Sequence, residues 1–492
     1  MLDKKTRSKY RLVVGLEVHV QLSTQSKIFS ADATTYGNPP NTLISPITLG
    51  HPGTMPKLNR RVVEYAIKMG LACGCTIARR MIFDRKNYFY PDLPKGYQIT
   101  QDKTPVCQGG EIPVRVNEHE REVKLHHIHM EEDAGKSIHP EGRSETQVDL
   151  NRAGVALIEM VTEPDIRSAE EAGAVLNEIR RLVRYLDICD GNMEEGSMRC
   201  DANVSVMLRD ATELGKKVEV KNMNSVRNVQ RAIKHEAVRQ ISLLERGEAV
   251  ISESRTFDAV SGTTASMRTK EDLNDYRYFP EPDLSPLEVS EAWLSDIQAT
   301  MPTLPREYRH RFVEDYLLPD YNAEVLIDSR ESARYFDELC QHTQHYQAAS
   351  NWIMGPVRSH LNESSRTIDE FSVSPAQLAP LVDLVAQDKI SFAVASQRLF
   401  PALIAQPKRS VTQMAAEMNL LQDSNVDALQ PLVEEVLEAL PDKVAAYRKG
   451  KKGLLGMFMG ELMKRSRGKA NPKLANQLLR EALDTSSNKQ GV

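Results

Sequence analysis

Glu17 and His19 stand two residues apart in Leu12-Val-Val-Gly-Leu-Glu-Val-His-Val20, where six of nine residues are Val or Leu. So apolar a stretch predicts a buried strand. Strand side chains alternate between faces, so the acid and the imidazole point the same way. A buried carboxylate without a partner costs several kcal/mol. Glu17 therefore needs a divalent cation shared with His19, or a basic side chain from elsewhere. A second acidic site follows in His127-Ile-His-Met-Glu-Glu-Asp-Ala-Gly-Lys136, where three consecutive acids follow two imidazoles. Holding such acids close favours shared cations. A third is Glu159, a single carboxylate in the apolar run Val155–Val161. Carboxylates with one histidine suit Mg²⁺ or Mn²⁺ better than zinc, and Mg²⁺ points towards phosphate substrates.

Cations that could meet those phosphates are present. The segment Asp84-Arg-Lys-Asn-Tyr-Phe-Tyr-Pro-Asp-Leu-Pro-Lys-Gly-Tyr-Gln98 interleaves basic, aromatic and proline residues and reads as a rigid, irregular loop that places Lys86 and Lys95. Lys86 suits a point-charge phosphate contact, and Arg199 and Arg277 suit bidentate ones. No GxxxxGK[ST] loop, GxGxxG turn or kinase HRD/DFG set occurs, so any ATP site has an uncommon architecture. Six cysteines are scattered without framework spacing, which fits a reducing compartment, and Cys73-Gly74-Cys75 has no second pair to complete a metal site.

The elements that must position these residues divide the chain. At 492 residues, with 41% hydrophobic and 27% charged, it should hold two to four domains. A net charge of −5 gives no global basic field, so nucleic acid would have to meet a local patch. There is no signal peptide and no membrane-length apolar run, which predicts a cytoplasmic protein. Up to about residue 295 the chain is rich in strand-like segments, with clear alternation over 201–208. Two helices interrupt them, one opening at the Ser168-x-x-Glu171 capping box, the other spanning about 225–245. Beyond 296 the period is helical and broken by prolines. The fold class read here is α+β: a strand-rich, cradle-like catalytic domain over 1–295, an all-α helical domain over 296–408, and a small helical tail over 409–492.

Together the motifs closely resemble the B subunits of the aspartyl/glutamyl-tRNA(Asn/Gln) amidotransferases, the GatB family. The matching stretches are Val14–Val20, Gly50-x-Pro52-Gly53-x-x-Pro56-x-x-Asn59, Phe83–Asp92, Glu131–Lys136, Asp149-x-Asn151-Arg152-x-Gly154, Glu194–Ser197, Asp275–Asp283 and Gly468-x-Ala470-Asn471-Pro472. The resemblance runs almost from end to end. It implies an enzyme subunit of a cytoplasmic heterotrimer with an amidase A subunit and a small C subunit. Such a protein uses ATP and Mg²⁺ to activate the side-chain carboxylate of Glu mischarged on tRNA(Gln), of Asp mischarged on tRNA(Asn), or of both. Ammonia released by the amidase then displaces phosphate. By position, the resemblance assigns Glu17, His19, Glu132 and Glu159 to the metal site and Lys86 and Lys95 to the end of the ammonia path. With Arg199 these complete the catalytic set expected here, and Lys86, Arg199 and Arg277 are expected to bind ATP. A non-catalytic tRNA-binding subunit and a free-standing metal-dependent hydrolase are the alternatives. Retention of the buried acids argues against the first.

One departure from the family stands out. Many members carry a Cys-x-Cys and Cys-Pro-x-Cys zinc knot after the first strand, and here those positions are Ser30, Asp32, Ser45 and Thr48. Neutral hydroxyls are poor zinc ligands, so no structural zinc is expected. The tail has a distinct charge: residues 443–481 hold eleven Lys/Arg against two acids, with leucines at helical spacing. Lys449, Lys451, Lys452, Lys464, Arg465, Arg467 and Lys469 are therefore expected to meet the tRNA backbone in a folded domain.

Overall fold

A computed structural model describes residues 3–117, 119–140, 142, 144–269, 276–421, 426–466 and 470–485. The chain folds into two compact units, Met1–Pro305 and Arg306–Val492. The first is built on a mixed sheet, the second on helices, as the α+β reading requires.

Twelve strands of the first unit matter here: β1 (Tyr10–Gln21), β2 (Thr76–Ile77), β3 (Asp84–Asn87), β4 (Tyr97–Thr100), β5 (Cys107–Gln108), β6 (Glu111–Val116), β7 (His119–Glu132), β8 (Ala156–Thr162), β9 (Met198–Leu208), β10 (Val218–Met223), β11 (Glu253–Asp258) and β12 (Thr263–Thr269). Ten of them form one sheet in the order β12-β11-β10-β9-β1-β8-β7-β5-β2, with β6 added on β7. Every neighbouring pair is antiparallel except β10–β11. The first of these strands in chain order is thus central, flanked by strands about 140 and 190 residues away.

The helices α1 (Arg60–Ala72), α2 (Ala169–Tyr185) and α3 (Val226–Glu245) share one hydrophobic core with the sheet. Val14, Leu16, Val18 and Val20 of β1 enter it with Ile67 of α1, Leu176 and Ile179 of α2, and Ile233 of α3. The spacing that predicts α2 is the spacing it buries: Ala172, Val175, Leu176, Ile179, Leu182 and Val183. Its start shows half of the expected capping box. The Ser168 hydroxyl accepts the Glu171 N–H at 3.0 Å, while the Glu171 carboxylate takes the N–H of Arg167. Ser225 caps α3 in the same way.

Two expectations change. β1 is not buried on both faces: Glu17, His19 and Gln21 lie on a face that is only partly covered. An antiparallel sheet can bury one face and leave the other to solvent. Nor is 84–98 irregular throughout. Its ends pair as β3 and β4, with Lys86 opposite Gln98 and Phe279–Pro280 added at the edge.

The second unit carries helices and no strand among its described residues. Some of its prolines start helices, as at Pro375–Ala386 and Pro441–Arg448, while Pro356, Pro380 and Pro431 lie inside helices. A first-turn proline lacks only an N–H that would have gone unpaired anyway. Near its end, Leu429, Val433, Val436, Tyr447, Phe458, Leu462, Leu479 and Leu483 make a core of their own.

Candidate active site on the polar face of the sheet

Residues directly opposite in antiparallel strands share a face. The register sets His19 opposite Arg199 on one side and Glu159 on the other, and Glu159 opposite His129. One row across four strands thus reads Arg199, His19, Glu159, His129. The row on one side holds Gln21, Leu157 and Glu131, and the row on the other holds Asp201 and Glu17. The facing side chains interleave. His19 Nε2 lies 3.3 Å from Glu159 Oε2 and 3.6 Å from Glu131 Oε1. His129 Nε2 lies 3.4 Å and 3.5 Å from the same two carboxylates.

His19, Glu131 and Glu159 each offer one ligand atom within 4.8 Å of the others, a donor set that fits a divalent cation. Glu17, Asp201 and Glu219 form a second such group. The second is partly neutralised within the chain: Lys221 Nζ is 2.5 Å from Asp201 and 2.8 Å from Glu219, and Asn203 donates to Glu17 at 2.8 Å. Electrostatics follow the packing. Burial pushes the Glu17 carboxyl up, and the Glu159 charge adds to it. Burial opposes charge on both His19 and Glu159, but their mutual hydrogen bond and charge win, raising the imidazole and lowering the carboxyl.

Glu17, His19, Glu131, Glu159, Asp201, Glu219 and Lys221 line a cavity of about 1320 Å³ together with Lys86, Tyr88, Asp133, Lys217, Asn222, Ser252 and Tyr276. Arg199 reaches it while donating to Asp133 at 2.8 Å. Lys86 stands over the Tyr276 ring at 4.9 Å, so a cationic stem faces an acid-rich wall. A space of this size and polarity suits a large phosphorylated ligand.

Of the residues expected at the site, Glu17, His19, Glu159, Lys86 and Arg199 line this cavity. Glu132, expected among the metal ligands, does not. Adjacent strand residues point to opposite faces, so Glu131 takes the place beside His19. Glu132 turns away to pair with Lys95, and it accepts the Ile99 N–H at 2.8 Å. Lys95 and Glu132 line a separate pocket of about 130 Å³ with Ser30, Thr48, Gly50 and Gly154. Arg277, expected to bind ATP, is exposed and outside the cavity lining, where its carbonyl accepts from Asn87. The sequence reading held His129 and Glu131 only within the acidic segment 127–136, and it passed over Asp201, Glu219 and Lys221 as site residues. Parity with Glu17, His19 and Glu159 would have found them, once the strand neighbours were known.

In the tail Lys449, Lys451 and Lys464 are exposed. Lys452 pairs with Asp484 at 2.9 Å, and Arg465 with Glu461 at 3.3 Å and Glu435 at 3.5 Å. Arg467 and Lys469 lie outside the described residues.

The sheet face and its acid–imidazole row lie in a region that matches a known family. Residues 12–295 match the GatB/GatE catalytic domain, and residues 334–483 match the GatB domain. The chain belongs to the GatB family. It is 48% identical to the B subunit of the aspartyl/glutamyl-tRNA(Asn/Gln) amidotransferase from Salinibacter ruber, over 97% of each chain. It is 48% identical to that of Chlorobium limicola, over 97% of this chain and 100% of the relative, and 47% identical to that of Syntrophotalea carbinolica, over 97% and 99%. Among the described residues no helix is long and apolar enough to cross a membrane.

Proposed function

We propose that this chain activates the side-chain carboxylate of Glu or Asp mischarged on tRNA and hands the activated acyl group to ammonia, within a heterotrimer that also holds an amidase A subunit and a small C subunit. The observation that carries the reading is Arg199, His19 and Glu159 side by side along one wall of a large polar cavity, with the buried His129 completing their row. In this reading His19, Glu131 and Glu159 hold Mg²⁺, with the Glu17, Asp201 and Glu219 group beside it. When bound, Mg²⁺ supplies neutralisation of phosphate charge. Lys86 and Arg199 receive the ATP phosphates, Lys86 as a point charge and Arg199 as a planar fork. The substrate carboxylate oxygen attacks the γ-phosphorus and ADP leaves. Ammonia then attacks the carbonyl carbon, phosphate leaves with the C–O bond electrons, and one proton is released. The Lys95–Glu132 pair stands on the opposite side of the same strand end, and Lys95, with Lys86, is assigned in this reading to the end of the ammonia path. The basic helices after about residue 408 take the tRNA backbone, and the complex works in the cytoplasm beside the tRNA pool.

The test is ATP cleavage by the assembled subunits. Turnover that requires mischarged tRNA, with ammonium replacing glutamine, supports the reading. Testing Glu-tRNA(Gln) and Asp-tRNA(Asn) side by side assigns the substrate. Tight tRNA binding with no ATP cleavage would instead mark a non-catalytic tRNA-binding subunit.

A further inference from the structure

The family's zinc positions, Ser30, Asp32, Ser45 and Thr48, converge in this chain, but the three hydroxyls all donate to one oxygen of the Asp32 carboxylate. Asp32 Oδ2 accepts from the Ser30 hydroxyl at 3.0 Å, the Ser45 hydroxyl at 2.8 Å, the Ser45 amide at 3.0 Å and the Thr48 hydroxyl. The Ser30 and Thr48 hydroxyls are 3.3 Å apart. Three neutral hydroxyls around one carboxylate oxygen are a poor zinc site and a good charge-assisted hydrogen-bond knot. The residues do not fit the metal.

The knot closes a lip that bears on Lys95. Lys27, fully buried, donates to the Leu43 carbonyl at 2.8 Å, and Asn151 accepts the Leu43 N–H at 2.8 Å, so the lip is held from beneath as well. Beyond Ser45 the chain turns tightly, with Leu49 N–H on the Ser45 carbonyl and Gly50 N–H on that of Ile47. That turn lays Gly50, at φ +66°, against the Lys95 stem, where a Cβ would come within 2.5 Å of Cγ. Thr48 and Gly50 share the small pocket with Lys95 and Glu132.

We propose that Asp32 is a positioning residue. Its carboxylate takes over the cross-linking role of zinc, fixes the lip over 30–50, and through the Gly50 turn holds Lys95 on Glu132. The lip and its hold on Lys95 do not depend on the reaction assigned above; only the amidation readout below rests on that reading.

The test compares the full-length chain with Asp32→Ala, Asp32→Asn and a four-cysteine variant (Ser30→Cys, Asp32→Cys, Ser45→Cys, Thr48→Cys). Metal analysis should find no stoichiometric zinc in the wild type. Amine labelling read by peptide mass spectrometry should modify Lys95 about tenfold faster in Asp32→Ala, and less so in Asp32→Asn, because the lip no longer clamps the stem. Loss of global structure alone would also speed labelling of Lys221, which is held by Asp201 and Glu219 and has no contact with the lip, and would overturn the specific claim. The four-cysteine variant should take up one zinc per chain and regain Lys95 protection that a chelator then removes. If that variant does not fold, the contrast between Asp32→Ala and Asp32→Asn carries the test. Stoichiometric zinc in the wild type, or wild-type Lys95 labelling in Asp32→Ala, overturns it. An amidation assay on the assembled complex adds a separate readout: Asp32→Ala should lower kcat and leave the tRNA KM unchanged. Absence of any amidation by the wild type would count against the assigned reaction and not against the lip.

Discussion

The polar cavity and the small pocket beneath the lip meet at one peptide bond: Glu131 faces the first and Glu132 the second. The first is built by strands. Its acids and imidazoles come from residues of one parity on β1, β7, β8 and β9, so the backbone pleat sorts them. The second is built mostly by loops. Its residues, Ser30, Thr48, Gly50 and Lys95, are arranged by hydrogen bonds and one close glycine contact. In the strand-built site carboxylates crowd together, a surplus of negative charge that calls for an external cation. In the loop-built pocket Lys95 meets Glu132, and next to it Lys27 feels Asp32, Asp149 and Glu132, so these charges are answered within the chain. The difference suggests that one region handles a ligand's charge and the other holds shape.

The sharpest way to break this comparison is to neutralise the two neighbouring acids in turn. Glu131→Gln should lower tRNA-dependent ATP cleavage roughly 10³-fold, the scale of losing a preorganised charge at a reacting phosphate. Glu132→Gln should leave ATP cleavage measurable and act on the use of ammonia. Equal loss of ATP cleavage in both variants would remove the distinction.

Stability should separate the two lysines. Lys95→Met strands the buried Glu132 carboxylate and should cost about 3 kcal/mol in urea unfolding, the scale of removing one partner of a buried pair. Lys86→Met removes a cation from above a ring and should cost about 0.5 kcal/mol while raising the ATP KM. The reverse order would show that Lys86 is the structural cation.

A smaller effect depends on pH. Burial pushes Lys27 down to about 8, with Asp32, Asp149 and Glu132 opposing it. Between that value and the ordinary lysine range the unfolded chain binds more protons than the folded one. Wild-type stability should therefore rise relative to Lys27→Met as pH climbs from about 8 to 10.5. Matched unfolding curves across that window check it, and a flat difference would place Lys27 in a wetter site. Smallest of all, changing Lys449, Lys451 or Lys464 to Gln should each reduce the salt slope of tRNA binding by about one unit. Unchanged slopes would assign the basic tail surface to another role.

Much of this was legible along the chain. Acids set in Val- and Leu-rich segments marked Glu17 and Glu159 as chemically loaded, because such burial needs a compensating charge. Helix α2 was readable down to its cap and its buried stripe, since both are local. Glu132 was not placed correctly. The run Glu131-Glu132-Asp133 offers three acids within one pleat, and the side each takes depends on how far β7 extends and what it pairs with. The pairing of 84–87 with 97–100 was hidden because Asp84-Arg-Lys-Asn87 is entirely polar and gives no strand alternation, and Tyr97–Thr100 is too short to signal a strand by itself.

Within an element of known extent the sequence by itself determined which residues share a face, because strand parity and helical period are properties of the backbone. It also determined that the four zinc positions lack cysteine, and that the tail gathers positive charge. Tertiary structure decided the rest. It set β1 between β8 and β9, which puts His19 against Glu159 and Arg199, residues 140 and 180 positions away. It buried Lys27 and Glu132, and it turned Asp32 towards three hydroxyls. The physical reason is the range of the forces involved. Dihedral preferences act over a few residues, whereas the pairing of distant strands and the desolvation of a charge exist only once the whole core has formed.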